Sequence, residues 1–136
     1  MGYPYDQRGY LIEPILVVLL LSGESDRTTQ LLEAARTRDY RTFAKVQMSK
    51  EQFECLDELW QKESSWQTNK KPYLADNPNS SAYGIPQALP GNKMATFGKD
   101  WKHNPITQVR WGLNYIKERY KTPCAALAHH TRKNWY

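Results

Sequence analysis

Between residues 49 and 65 the chain reads SKEQFECLDELWQKESS, and its large apolar residues, Phe53, Leu56, Leu59 and Trp60, recur at helical spacing to make one stripe. Asp57, Glu58, Gln61 and Lys62 fall on the flanks or the opposite face, so the spacing predicts an amphipathic helix. Ser49 stands as its N-cap, with Gln52 three residues on as the second half of a capping box. Glu63 breaks the pattern. At about 100° per residue it lies within roughly 30° of the centre of the stripe, where a leucine is called for. A carboxyl group held among apolar neighbours resists ionisation, so its pKa rises toward the range in which it can donate a proton. The competing reading is a frayed last turn that lets Glu63 reach water, since helix ends often carry a stray polar residue.

Elsewhere the pattern is helical or irregular. Residues 26–48 read as a second helical stretch, with Leu31, Leu32 and Ala35 grouped, that packs on the domain or acts as a spacer. Asn104 as N-cap and Pro105 at the first helical position open a clearer helix, with Ile106, Val109, Leu113, Ile116 and Tyr120 on one core-facing side. Thr122 and Pro123 start a final short helix carrying Cys124, Ala126, Leu127, His129 and His130, whose small residues permit close packing. Residues 67–92 have no sustained period and are rich in Pro, Asn, Ser and Gly, as a binding loop is; short hairpin strands fit within it, and a helical turn fits Met94 to Phe97. Near the N-terminus a run of seven apolar residues, ILVVLLL, is too short to cross a bilayer, for which about 20 are needed. It suits the core of a signal or anchor segment, although Asp6 and Glu13 offset Arg8 in the flank. A buried accessory element is the alternative.

With 136 residues, 40% of them hydrophobic, one compact domain is expected. The net charge of +5 is uneven: residues 1–48 carry 6 Lys/Arg against 6 Asp/Glu, and residues 49–136 carry 13 against 8. A basic surface of this kind suits an anionic polymer, whether nucleic acid, membrane or cell wall. No Lys/Arg run and no nucleic-acid motif is present, which argues against nucleic acid as partner. Cys55 lies on the Glu63 helix and Cys124 opens the last one; a bond between them would join distant elements and imply an oxidising compartment, and two buried thiols are the other reading. Cys55 has no second ligand at zinc spacing and His129 and His130 are adjacent, so no metal site is expected.

The order of motifs resembles a known family. Glu63, Ser64, Ser65 and Trp66 form E-S-x-W; Tyr83, Gly84, Ile85, Pro86 and Gln87 follow in N-P-N-S-S-A-Y-G-I-P-Q; Trp111, Gly112, Tyr115 and Ile116 lead into P-C-A-A-L-A-H. From about residue 52 to 136 the chain is similar to the catalytic domain of soluble lytic transglycosylases in the lysozyme-like superfamily, most closely the two-cysteine branch found in actinobacterial secreted proteins and phages. The resemblance implies an α+β, mostly α, lysozyme-like domain over 49–136, with a long loop or small hairpin region after the catalytic helix. Residues 25–48 would be a helical accessory region and 1–24 the signal or anchor.

The implied reaction cleaves the β-1,4 bond between N-acetylmuramic acid and N-acetylglucosamine in peptidoglycan. One glutamate, Glu63, acts as acid on the leaving oxygen and then as base on the C6 hydroxyl that closes a 1,6-anhydro ring. No cofactor or metal is used, and a mechanism with one carboxylate in place of the usual two suits a loop that offers only Asp76, with Asp100 beyond it. Ser64 would steady the surroundings of Glu63, Gly84 and Gln87 would shape the groove, Gln87 would hydrogen-bond an acetamido group or position Glu63, and Tyr83 would stack on a sugar. Tyr115 falls in the family's G-x-x-Y-L helix. The family's A-A-Y-N-A-G is replaced here by Ala126, Leu127, Ala128, His129 and His130, and in the two-cysteine branch a tryptophan is expected at Leu127 and a glycine at Asn134. His129 or Tyr136 is expected to stand in for the missing polar group of the groove. The expected partner is the glycan strand of a cell wall, bound by a secreted or wall-associated monomer or by a phage virion, with membrane contact only through the N-terminal segment. The alternatives are a muramidase of the same fold and a non-catalytic wall-binding or virion protein.

Overall fold

A computed structural model describes residues 24–69 and 81–136. The N-terminal apolar run, Asp76 and the N-P-N-S part of the long loop lie outside these residues. Five α-helices and one 3-10 helix make up the described part: α1 (Glu24–Thr37), α2 (Tyr40–Lys45), α3 (Lys50–Ser64), the 3-10 helix (Gly91–Phe97), α4 (Pro105–Tyr120) and α5 (Pro123–Lys133). The molecule is mostly helical. Of the hairpin expected in the long loop, the described residues contain one isolated antiparallel bridge, between Tyr83 and Ala88.

Helices α2 to α5 each start where a side chain satisfies one of the first free N–H groups. Ser49 Oγ accepts from Gln52 N at 3.3 Å, Asn104 Oδ1 from Ile106 N at 3.0 Å, and Thr122 Oγ1 from Ala125 N at 3.2 Å. The capping box at Ser49 takes a different form from the one expected: the Gln52 carboxamide accepts from Cys124 N at 3.0 Å, so it caps α5 across the interface. The stretch 26–48 is two helices where one was expected. Arg38 turns left-handed (φ 57°), and Asp39 caps the new start by accepting from Thr42 N at 3.2 Å. An aspartate that competes for backbone N–H groups ends one helix and begins the next.

The apolar stripes meet in one core. Leu56, Leu59 and Trp60 from α3 pack with Val109 and Ile116 from α4, Ala126 from α5, and Ala34, Phe43 and Ala44 from α1 and α2. Burying each of the larger side chains is worth about 1.5–3 kcal/mol. Leu32 is 65% exposed, so the expected Leu31–Leu32–Ala35 group is split between core and solvent. The α3–α5 pair is also joined covalently by the Cys55–Cys124 disulfide. Gly112 allows α4 to close on this core, because a Cβ there would meet the Trp60 ring at 2.6 Å and Pro86 at 2.9 Å. Among the described residues no helix is long and apolar enough to cross a membrane.

Candidate active site

Glu63 occupies the last turn of α3, and that turn is pinned rather than frayed. Ser65 and Trp66 both take positive φ (53° and 58°), which reverses the chain and returns Trp66 to the core at 2% exposure. Its ring meets Trp60 edge-on at 5.0 Å, and its Nε1 donates to Asp57 Oδ1 at 2.9 Å. The side chain of Glu63 is left 17% exposed. Burial pushes its pKa up to about 7, because the carboxylate loses hydration that nothing charged replaces.

The loop after α3 is fastened to it from two sides. Ser64, 1% exposed, donates from Oγ to Ile85 O at 2.7 Å. Gln108 on α4, fully buried, accepts from Ile85 N at 2.9 Å through Oε1 and donates through Nε2 to Thr68 O and Trp101 O at 2.9 and 2.8 Å. Gly84 (φ 77°) must be glycine, since a Cβ would sit 2.6 Å from Gln108 Oε1. The tight turn that follows lets Gln87 N and Nε2 both donate to Gly84 O, at 3.1 and 2.9 Å, and turns Gln87 into the groove. Tyr83 goes elsewhere. Its ring packs edge-on against Trp101 at 5.6 Å and its hydroxyl donates to Lys102 O at 3.0 Å, so it anchors the loop to the segment before α4 instead of facing a sugar.

The C-terminal segment forms the facing wall. Tyr136 accepts from Trp60 Nε1 at 2.9 Å and donates to Pro86 O at 2.8 Å, linking α3 to the loop. Burial, and then the nearness of Glu63, raise its pKa well above the usual phenol range, so the hydroxyl stays neutral. A cavity of about 300 Å³ opens here, lined by Glu63, Gln87, Leu89, Asn134, Trp135 and Tyr136 among others. It shares Gln87, Leu89, Trp135 and Tyr136 with a second cavity of about 260 Å³, lined further by Trp111, Tyr115, Lys93 and Arg119. The two cavities are neighbours across these shared residues, and the second carries most of the aromatic lining. Tyr115 and Trp111 stack at 5.2 Å with an interplanar angle of 16°, and the Arg119 guanidinium lies 5.8 Å from the rings of both Tyr115 and Trp135. Burial raises the Tyr115 pKa also.

His130, not His129, meets the acid. His130 Nε2 lies 3.1 Å from Glu63 Oε1, and its side chain is 16% exposed. Burial, then the positive charge of Lys62 and the neighbouring His129, push the His130 pKa down, so both partners are driven toward neutrality. His129 instead packs against Trp135 (4.4 Å) and Tyr120 (5.1 Å), with Nδ1 3.3 Å from Trp135 O, and so buttresses the groove wall. Leu127, where a tryptophan was expected, packs on the core. His130, Gln108 and Trp135 are the residues that sequence reasoning passed over. Ala126 gives a signal for the first: it is buried against the core, and His130 follows it at i+4 on the same helical face.

Glu63 is the one carboxylate among the described residues that line the groove. Asp100 is used as a helix-start anchor: Asn104 Nδ2 and Thr107 Oγ1 donate to it at 2.7 Å each, holding its pKa below the usual range. No group of three or more His, Cys, Asp or Glu among the described residues is placed to hold a metal ion. Comparison with protein-family models, curated proteins and solved structures returns no match to any of the three.

Proposed function

We propose that this chain is a peptidoglycan lytic transglycosylase with a lysozyme-like domain, cleaving the bond between N-acetylmuramic acid and N-acetylglucosamine. The observation that carries the reading is Glu63, a largely buried carboxyl group whose pKa burial pushes up to about 7, lining a cavity with Gln87, Trp135 and Tyr136. A glycosidic oxygen is a poor leaving group until protonated, and an acid whose pKa lies near the working pH is the efficient donor. Ordinary glycosidases place a second carboxylate across the bond, about 5–10 Å from the first. In this reading Glu63 acts alone, and the attacking group is a hydroxyl of the substrate itself. Glu63 Oε–H gives its proton to the leaving oxygen, and the resulting carboxylate then takes the proton of the C6 hydroxyl as the anhydro ring closes.

The rest of the groove fits a sugar polymer bearing carboxylates. Trp111, Tyr115 and Trp135 offer faces and edges to sugar rings, and Lys93 and Arg119 offer positive charge. Gln87 is placed to hydrogen-bond an acetamido group. An extracellular or virion setting agrees with the disulfide, since such bonds persist where conditions are oxidising. The test is release of soluble fragments from purified cell walls by wild-type and Glu63→Gln protein, with folding checked by circular dichroism. The expected result is release by wild type and at least a 10³-fold loss in the variant, the scale set by losing general acid catalysis and its follow-on base step. Equal release by both would remove Glu63 from the chemistry.

A further inference from the structure

We propose that the cavity lined by Lys93, Trp111, Tyr115, Arg119 and Trp135 is a binding site for a sugar that carries its own carboxylate, and that this sugar is a muramic acid whose lactyl group is free of peptide. The acidic-sugar site is read from this molecule alone; the choice of muramic acid rests on the transglycosylase reading.

The cavity, about 260 Å³, brings two cations and three aromatic rings to one concave surface. Trp111 and Tyr115, four residues apart on α4, stack at 5.2 Å, so one helical face supplies both rings. Arg119 follows Tyr115 at the same interval, and its guanidinium lies 5.8 Å from the ring centroids of both Tyr115 and Trp135. Ring faces attract a cation through their negative quadrupole, so Arg119 is steadied with no acid to neutralise it. Arg36, Arg41 and Lys62 each meet a carboxylate, from Glu33, Asp57 and Glu58. Among the described residues neither Lys93 nor Arg119 has such a partner, and no Asp or Glu lines this cavity. A guanidinium has five N–H donors in a planar fork matched to a carboxylate, and one resting against rings is left to bind a ligand's.

Two properties of the cavity decide the ligand. Its volume falls just below the range of about 300–1,000 Å³ usual for small-ligand sites, so it takes a single ring with its substituent. The cation and the aromatic rings lie against one another, so the ligand's carboxylate has to sit close to its own apolar ring face. A carboxylate on a short ether, as in muramic acid, meets that condition, whereas those of a peptide stem are several bonds further out. Glu63 lines the neighbouring cavity and not this one. The ligand's negative charge is thus held in one cavity while the acid that has to keep its proton lines the other.

In peptidoglycan that bears stems, the lactyl carboxyl is an uncharged amide. The class of reaction that must supply this substrate is hydrolysis of that amide: water adds its oxygen to the lactyl carbonyl carbon, the C–N bond breaks, and the peptide leaves as an amine that takes the proton. The lactyl group is then a carboxylate, ionised at neutral pH as carboxyls of pKa about 4 are.

The test follows the indole N–H signals of Trp111 and Trp135 in the 15N-labelled, disulfide-linked chain as four methyl glycosides are added: those of N-acetylmuramic acid, its lactyl methylamide, N-acetylglucosamine and glucuronic acid. N-acetylmuramic acid is expected to shift both signals and to bind about 10-fold or more tighter than the methylamide or N-acetylglucosamine, as a hydrogen bond to a charged group implies. That advantage is expected to fall as salt rises. Arg119→Gln is expected to erase it and Lys93→Gln to reduce it, with circular dichroism unchanged. Equal binding of the acid and its methylamide, or no shift at Trp111 and Trp135, would overturn the site without recourse to any variant. Tighter binding of glucuronic acid would overturn the choice of muramic acid. On glycan strands, wild type is expected to act several-fold faster once an amidase has removed the stems, and equal rates would overturn that choice as well. An acid preference at Trp111 and Trp135 in a protein that cleaves neither strand would sink the transglycosylase reading and leave the acidic-sugar site standing.

Discussion

A buried carboxyl group with a pKa near 7 ties both activity and stability to pH. Glu63 is at about 7 in the folded chain against 4.5 for an ordinary glutamate, so between those values the folded state holds a proton that the unfolded state has lost. Stability from this group is therefore fully present below about pH 4.5 and is gone above about pH 7. Each tenfold change in proton affinity is worth about 1.4 kcal/mol, so the whole effect is up to about 3 kcal/mol. Glu63→Gln is expected to be more stable than wild type at pH 8 and to lose that advantage at pH 4.5, measured by urea unfolding at both values. The depressed pKa of His130, in contact with Glu63, acts with the opposite sign, and the same comparison made in a His130→Leu background separates the two groups. A constant difference across pH would mean that Glu63 titrates normally. The position of Glu63 on the apolar face was legible because helix phase alone fixes it. Its partner was not, since His129 and His130 are adjacent and the contact joins two helices far apart in sequence; only the phase of α5 relative to Ala126 separates them.

At the scale of elements, the α3–α5 pair carries the site: α3 presents Glu63 and α5 presents His130, with Cys55–Cys124 holding the two helices together. Replacing both cysteines by alanine opens a loop closed across a sequence separation of 69 residues. The chain-entropy model puts the loss at about 4 kcal/mol. Thermal unfolding is expected to show a clear fall in Tm, with Glu63 retaining its raised pKa wherever the variant remains folded. An unchanged Tm would show that helix packing alone fixes the pair. The caps at Ser49, Asn104 and Thr122 were legible because an N-cap depends on residues within one turn. The break at Asp39 and the diversion of Gln52 to Cys124 were not: the first needs α1 to pack back on the core, and the second is a contact between helices. Gln108 escaped notice for a similar reason. It lies beside the apolar stripe of α4, and its purpose is visible only once Ile85, Thr68 and Trp101 surround it.

For the whole molecule, the loop, the C-terminal segment and α4 together set two neighbouring cavities on a helical core, whose described lining includes Glu63, Trp111, Tyr115, Trp135, Lys93 and Arg119. The mostly helical class and the disulfide could be anticipated from the chain, whereas Tyr83 moved from the groove to the support of the loop and Trp135 took a place in the wall that no local pattern announces. What the groove does to a glycan is decided by its products. Mass spectrometry of the fragments released from purified peptidoglycan measures it most directly: fragments ending in 1,6-anhydro-N-acetylmuramic acid are the predicted result. Hydrated reducing ends would show that water, not the C6 hydroxyl, attacks, and the absence of any soluble fragment would contradict the assignment of an acid catalyst to Glu63.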